Sequence, residues 1–388
     1  MKVAEYLGNL VLSQLEGKKP LDLPDGISMA ELIDISGRNH MDYIVLGGLL
    51  KVDNITEADK QGLRAKVMGS VMCTMVQVTE LKELERRFEA GQIKNQPMKG
   101  ARMKFLYPSP EIREMSDIDV LVDNACMGDA ANVLVDMGYK LQHSIKHHDI
   151  YVKPPYMVVE VHRALYDKTV DGGQYRYFTN FSKTFLREGY TCTYDFSTED
   201  FYIYMLAHMA KHFYARGCGI RNLVDIYIYR QKFDSCMDRS YLKKELNECG
   251  ILEFAEHMEK LADIWLNGGK SSCFYEDLFQ YMQDSGIYGK DENGIWNKFA
   301  EKKMKNKEAT VTRLKMWYYF PPVSYMSEYY TWLEDYPFCL PVAWAIRFFG
   351  GVFQKKGVHK REMLHEIDHD QISTYQSIYQ KMGLHFKG

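Results

Sequence analysis

The stretch Met98–Asp123, MKGARMKFLYPSPEIREMSDIDVLVD, decides the reading of this chain. It sets a Lys-Gly turn and a short amphipathic segment ahead of an apolar strand bearing Asp117 and Asp119. Side chains alternate faces along a strand, so Asp117 and Asp119 project together while Ile118, Val120 and Val122 point into a core. Two neighbouring carboxylates repel each other unless a cation sits between them. The pattern points to a divalent metal and a phosphate-bearing substrate.

On the N-terminal side, residues 1–95 read as helical. Ile27–Val52 carries apolar residues at helical spacing, and Glu57–Gln92 is a long Met, Val and Leu pattern with Gly91 as a stop. From residue 96 the pattern changes. Gln96–Gly100 is expected to form a short strand and turn, and Ala101–Tyr107 a short helix broken by Pro108 and Pro110. Asp117–Val122 follows as a strand, then Met127–Met137 as a helix closed by Gly138. His148–Leu165, HDIYVKPPYMVVEVHRAL, reads as two strands joined at Pro154–Pro155. In the second, Val159 and Val161 share one face, and Val158, Glu160 and His162 the other. Ser197-Thr198-Glu199-Asp200 is a helix start, and RNLVDIYIYRQKF forms a further helix after Gly219. The expected division is a helical region 1–95, a sheet-bearing core 96–196 and a helical region 197–388.

Bulk properties narrow the function classes. The chain has 388 residues, 46% apolar and 26% charged, with a formal charge of −3, which disfavours a general nucleic-acid-binding surface and long nucleic acid as a partner. Its 28 Tyr and 19 Phe suit partly exposed helices that pack through the ring and keep the hydroxyl wet. Eight cysteines without a C-x-x-C pair favour reduced thiols over a disulfide framework. The N-terminal helix lacks a clean apolar signal region. The apolar run Phe338–Phe353 is too short for a bilayer and contains Arg347. A cytoplasmic, non-membrane protein is expected.

Each polar constellation has a bland alternative. With 52 acids, chance alone gives about seven acid-x-acid triplets, so Asp117-Ile118-Asp119 acquires meaning only from its apolar strand and from Glu160 on a second strand. Lys99-Gly100 is either an ordinary turn or a place where backbone N–H groups and a helix N-terminus approach phosphate. Arg113 either meets phosphate or balances Asp117 and Glu111. His208 and His212 lie one helical turn apart. They lack the glutamate of a metalloprotease motif, which favours a buried or mutually bonded pair over a metal site. His147-His148-Asp149 invites a metallohydrolase reading of the HD type. That class presents its ligands on helices, whereas HHDIYV reads as a strand entry.

Taken in order, the Lys-Gly turn, R-x3-D-h-D-h-h-V, the h-E-h-H strand, the helical H-x3-H and R-N-L-V-D-I resemble the uncharacterised nucleotidyltransferase family. This family lies within the polymerase-β-like superfamily, and the likeness is strongest over residues 96–230. The resemblance implies an α+β fold, with a mixed sheet bearing Asp117, Asp119 and Glu160 between N- and C-terminal helical regions. It implies that these three acids are catalytic and hold one or two Mg²⁺ ions. Lys99, Gly100, Arg113 and Ser116 would bind nucleotide, although most of the superfamily has Gly-Ser or Gly-Gly where this chain has Lys99-Gly100. His162 would orient Glu160, and His208, His212, Arg221 and Asp225 would line the acceptor side. The implied reaction moves an NMP from an NTP, ATP first among them, to a hydroxyl of a small molecule or protein, releasing pyrophosphate. On this reading, replacing Asp117 or Asp119 by Asn abolishes transfer while the fold persists or gains stability. The rival readings are a non-catalytic nucleotide-binding module on the same fold and an HD-like phosphohydrolase.

Overall fold

In the computed structural model the strand that carries Asp119 lies second in a five-stranded mixed sheet. The structure describes residues 2–145, 147–166, 172–179, 181–290, 293, 316–317, 319–327, 330–352 and 377–384. Two compact units are present, the first comprising residues 1–213, 217–289 and 383–388, the second 214–216 and 290–382. The expected boundaries near 95 and 196 mark changes in element type, and both lie inside the first unit.

The first unit opens with α1 (Val3–Leu15), α2 (Met29–Asn39), α3 (Asp42–Leu49) and α4 (Glu57–Ala90). The Thr56 side chain accepts the Asp59 amide, satisfying one of the orphan donors that begin the long α4. There follow β1 (Asn95–Pro97), α5 (Gly100–Met103), β2 (Ile118–Val122), α6 (Met127–Asp136), β3 (Lys140–Ser144), β4 (His148–Lys153) and β5 (Met157–His162). Asp117 stands just before β2. The expected helix Ala101–Tyr107 is shorter than its pattern: four α-helical residues pass into a 3₁₀ turn over Lys104–Leu106 ahead of Pro108.

Sheet order is β1-β2-β5-β4-β3, with β2 parallel to β5 and the other neighbours antiparallel. Register pairs Asp119 with Glu160 and Leu121 with His162 across β2 and β5, and His148 with His162 across β4 and β5. Ile118, Val120, Val122, Val159 and Val161 form one face, packed in a core with Leu81, Leu84 and Phe88 of α4 and Ala130 and Leu134 of α6. Each fully buried side chain of this kind contributes about 1.5–3 kcal/mol. A one-residue slip would turn Asp119 and Glu160 into that core, so burial of the aliphatic face pins the acids to the other one.

Beyond the sheet come α7 (Gly172–Tyr177), the hairpin strands β6 (Thr184–Leu186) and β7 (Tyr194–Phe196), and the helices α8 (Thr198–Arg216), α9 (Arg221–Phe233), α10 (Arg239–Glu248), α11 (Leu252–Leu266) and α12 (Cys273–Ser285). Ser197 caps α8 through the Asp200 amide. Tyr202 and Tyr229 depart from the expected wet-hydroxyl use: both are buried, their rings stack at 5.4 Å, and their hydroxyls bond Glu259 and the Thr198 carbonyl instead of water. All eight cysteines are free.

The second unit contains a short helix Val323–Met326 and a helix Leu340–Val352 around Met326, Leu333 and Ala343. The helical pattern expected beyond residue 290 lies partly outside the described residues. Among the described residues no helix is long and apolar enough to cross a membrane.

Candidate active site

The site grows from the parallel pairing of β2 with β5, which sets Asp119 beside Glu160 on the face opposite the aliphatic core. The Met98 amide donates to the Asp119 carbonyl, continuing the β1–β2 ladder and bringing Lys99 alongside Asp119. The backbone then turns sharply: Lys99 has φ 45° and ψ −123°, a conformation in which a side chain is strained. Its Nζ lies 2.6 Å from Asp119 Oδ1.

The same oxygen accepts from His162 Nε2 at 2.8 Å, while His162 lies 3.4 Å from Glu160 Oε2. His162 is therefore tied more closely to Asp119 than to Glu160, the partner expected from its place on the strand. One ligand atom from each of Asp119, Glu160 and His162 falls within 4.8 Å of the others. Asp117 falls outside that group, so the compact donor set differs from the three acids singled out in the sequence. Among the described residues Asp117 has no hydrogen-bond or ion-pair partner.

Electrostatics separates the carboxylates. Burial, and then the Asp119 charge, push Asp117 up to about 7. Burial alone would raise Asp119 too, but the Lys99 ammonium and His162 together hold it below the usual carboxylate range. Glu160 is held low against its burial, first by the bond to His162. His162 is raised: its bonds to Asp119 and Glu160 outweigh the cost of burying its charge.

Two carboxylates and an imidazole nitrogen, with a further unpartnered carboxyl next door, form a donor set suited to a divalent cation. The residues present fit the metal implied by the family resemblance.

The α8 helix forms another wall. Lys99, Arg113, Tyr204, His208, Asn222 and Asp225 line a cavity of about 40 Å³, room for roughly one water. His208 and His212 bond each other through their Nε2 atoms at 3.0 Å, one donating and the other accepting. Burial, followed by the Lys99 charge, holds His208 well below its ordinary value.

Several expected phosphate contacts have other work. The Arg113 Nε and Nη2 donate to Asp225 at 3.1 and 2.9 Å, and its Nη1 donates to the Glu114 carbonyl, so its fork is taken. Tyr107 adds a third bond to Asp225 at 2.7 Å. Arg221 donates to the Glu114 carbonyl, and Ser116 pairs with His40. Gly100 is required by packing: a Cβ there would meet Arg113 Nη1 at 2.5 Å and Met115 Cγ at 2.8 Å. The four-residue α5 that it opens has too few aligned peptides to offer phosphate the expected dipole.

His148 joins the site by a route the HD reading did not contain. Antiparallel pairing sets its ring 4.9 Å from His162 and its Nε2 4.0 Å from Glu160. Alternation along β4 signals only which face it occupies; the register across to β5 supplies the neighbour. Asp149 instead bonds Ser144 and Arg163. The HD-like arrangement is not formed, because His148 and Asp149 point to opposite faces of one strand.

A model of the uncharacterised nucleotidyltransferase family matches residues 31–267, more than half of the chain and the whole of the β2–β5 site. Neither a curated protein nor a solved structure matches the chain. The α+β core, its mixed sheet and this match agree: the chain belongs to the uncharacterised nucleotidyltransferase family.

Proposed function

We propose that this protein transfers a nucleoside monophosphate from an NTP, ATP being the first to test, to a hydroxyl of a small molecule or protein, releasing pyrophosphate. The observation that carries this reading is the convergence of Asp119, Glu160 and His162 on one sheet face of a nucleotidyltransferase-family chain, with the half-buried Asp117 beside them, unpartnered among the described residues. Asp117, Asp119 and Glu160 would hold Mg²⁺, with His162 at the same donor group. When bound, the ion neutralises charge on the phosphates and on the leaving pyrophosphate.

The remaining work falls to the chain itself. Glu160 is only partly buried and its two neighbours, His162 and His148, lie at 3.4 and 4.0 Å, so it takes the proton of the incoming hydroxyl. His162 fixes the Asp119 carboxylate through its 2.8 Å bond. Lys99 supplies positive charge toward the phosphates from the β1–α5 turn. His208, bonded to His212, presents a neutral ring on the α8 wall beside Lys99, on the side where the acceptor would approach.

Thermal unfolding with each NTP, with and without Mg²⁺, combined with pyrophosphate release, tests the reading. A metal-dependent shift and pyrophosphate release that are both lost in Asp119→Asn are expected. Nucleotide binding that needs no metal and releases no pyrophosphate would instead favour a non-catalytic module.

A further inference from the structure

Three carboxylates, Asp117, Asp119 and Glu160, lie together at the β2–β5 pair, and their mutual repulsion must be offset by nearby positive charge. Lys99 is the cation bonded among them. Its ammonium lies 2.6 Å from Asp119 Oδ1, its side chain is only 20% exposed, and the charges of both Asp119 and Asp117 reinforce it. Holding it there requires a backbone conformation, φ 45° and ψ −123°, that a residue with a side chain rarely adopts. Strain of this kind persists only where the surroundings impose it.

We infer that Lys99 is a built-in counter-cation that stands in for the divalent metal at Asp119 and leaves it when metal loads. The inference rests on the metal-dependent reading above and adds an exchange to it. An ammonium bonded to Asp119 and a divalent ion ligated by the same carboxylate would be two cations a few ångströms apart, and like charges at that range repel strongly. His162 already takes a second share of Oδ1, so the metal and the ammonium also compete for the lone pairs of one oxygen. Released from Asp119, Lys99 remains on the wall of the cavity it shares with Tyr204 and His208. It is then free to meet a phosphate oxygen. The lysine therefore serves two anions in turn, the carboxylate in the metal-free protein and the phosphate in the loaded one. Lys99 acts through Asp119 in the first state and is thus a positioning residue for the metal site.

The test compares the full-length wild type with Lys99→Met after chelation. Unfolding is followed in EDTA, and Mn²⁺ binding by titration calorimetry. The expected result is a lower Tm for Lys99→Met without metal, together with Mn²⁺ affinity raised tenfold or more, because binding no longer has to break the Lys99–Asp119 pair. Equal or weaker Mn²⁺ affinity in the variant overturns the exchange. In that case metal binding by the wild type leaves the metal-dependent reading in place, whereas absence of Mn²⁺ binding in both proteins removes both.

A second measurement needs no variant and so survives a failure of Lys99→Met to fold. Wild-type protein is treated briefly with an amine-acetylating reagent with and without Mn²⁺, and Lys99 modification is read by peptide mass. Modification that increases with Mn²⁺ supports displacement; modification that stays equal or falls overturns it.

Discussion

Two buried ionic clusters border the same small cavity, and they are built on opposite plans. Around Asp225 a single carboxylate receives three donors, two from Arg113 and one from Tyr107, so it is closed and saturated. Around Asp119 three carboxylates share one lysine and two histidines, and one of them, Asp117, has no partner among the described residues. Bidentate pairing of the first kind holds α9 to the segment before β2 and leaves nothing for a ligand. Surplus charge of the second kind costs stability, which the proposed metal would offset. Whether a charged residue's partners balance it separates the two clusters: Arg113 and Asp225 answer each other.

The largest expected effect breaks the acid-rich cluster. Asp119→Asn should lower transfer at least about ten-thousandfold, roughly 5 kcal/mol of barrier, read from pyrophosphate release. Its metal-free Tm should fall, because Lys99 loses the anion it is bonded to. Asp117→Asn should also abolish transfer, yet raise the metal-free Tm by removing an unpartnered carboxyl from beside Asp119. The sequence reading expected both variants to keep or gain stability; the Lys99 contact separates them. Equal Tm changes in the two variants would refute the separation.

Opening the closed cluster comes next. Arg113→Met strands Asp225 in the interior with Tyr107 alone, and should cost about 3–5 kcal/mol of stability, measured as a lower denaturant midpoint. A loss below about 1 kcal/mol would mean that the pair is far more hydrated than its burial indicates.

Lys104 sharpens the contrast. It is fully buried, its Nζ has no partner among the described residues, and burial followed by the nearby Arg113 charge pushes it down to about 8. An unfolded lysine titrates near 10.5, so between these values the unfolded chain holds more protons and stability must rise with pH. Wild type should gain on the order of 3 kcal/mol from this group across pH 8 to 10.5, a rise absent in Lys104→Met. The variant should be the more stable protein at pH 7. Parallel pH profiles for the two proteins would count against the account.

The smallest effect lies away from both clusters. Glu89, at the end of α4, accepts from the Thr191 and Cys192 amides and the Thr191 and Thr193 hydroxyls. Burial opposes its charge, but these bonds hold it near 2. Its contribution should be complete above about pH 4.5 and disappear as pH falls through about 2. Glu89→Gln should cost about 1–3 kcal/mol at pH 7, and the difference from wild type should vanish in acid-unfolding curves at the lowest pH.

Most of the local structure could be read in advance because each segment carries its own period. The alternation of Ile118, Val120 and Val122 against Asp117 and Asp119, and of Val159 and Val161 against Glu160 and His162, already assigns faces. Ser197, Gly138 and the Pro154–Pro155 turn bound their elements where expected. The helix before Pro108 came out shorter because Lys104 and Phe105 continue a helical pattern that the chain leaves by a 3₁₀ turn.

What the sequence by itself determined is therefore the acid-bearing strands, their buried faces and the family to which they belong, since these depend on neighbours within a few residues. Tertiary structure alone decided who answers each charge. Lys99 lies 20 residues from Asp119, and Arg113 lies 112 residues from Asp225. His148 reaches Glu160 only through the register of β4 on β5. Backbone periodicity tells a side chain which way to face. Its counter-ion is chosen by long-range packing, where a shift of one residue in register exchanges every partner.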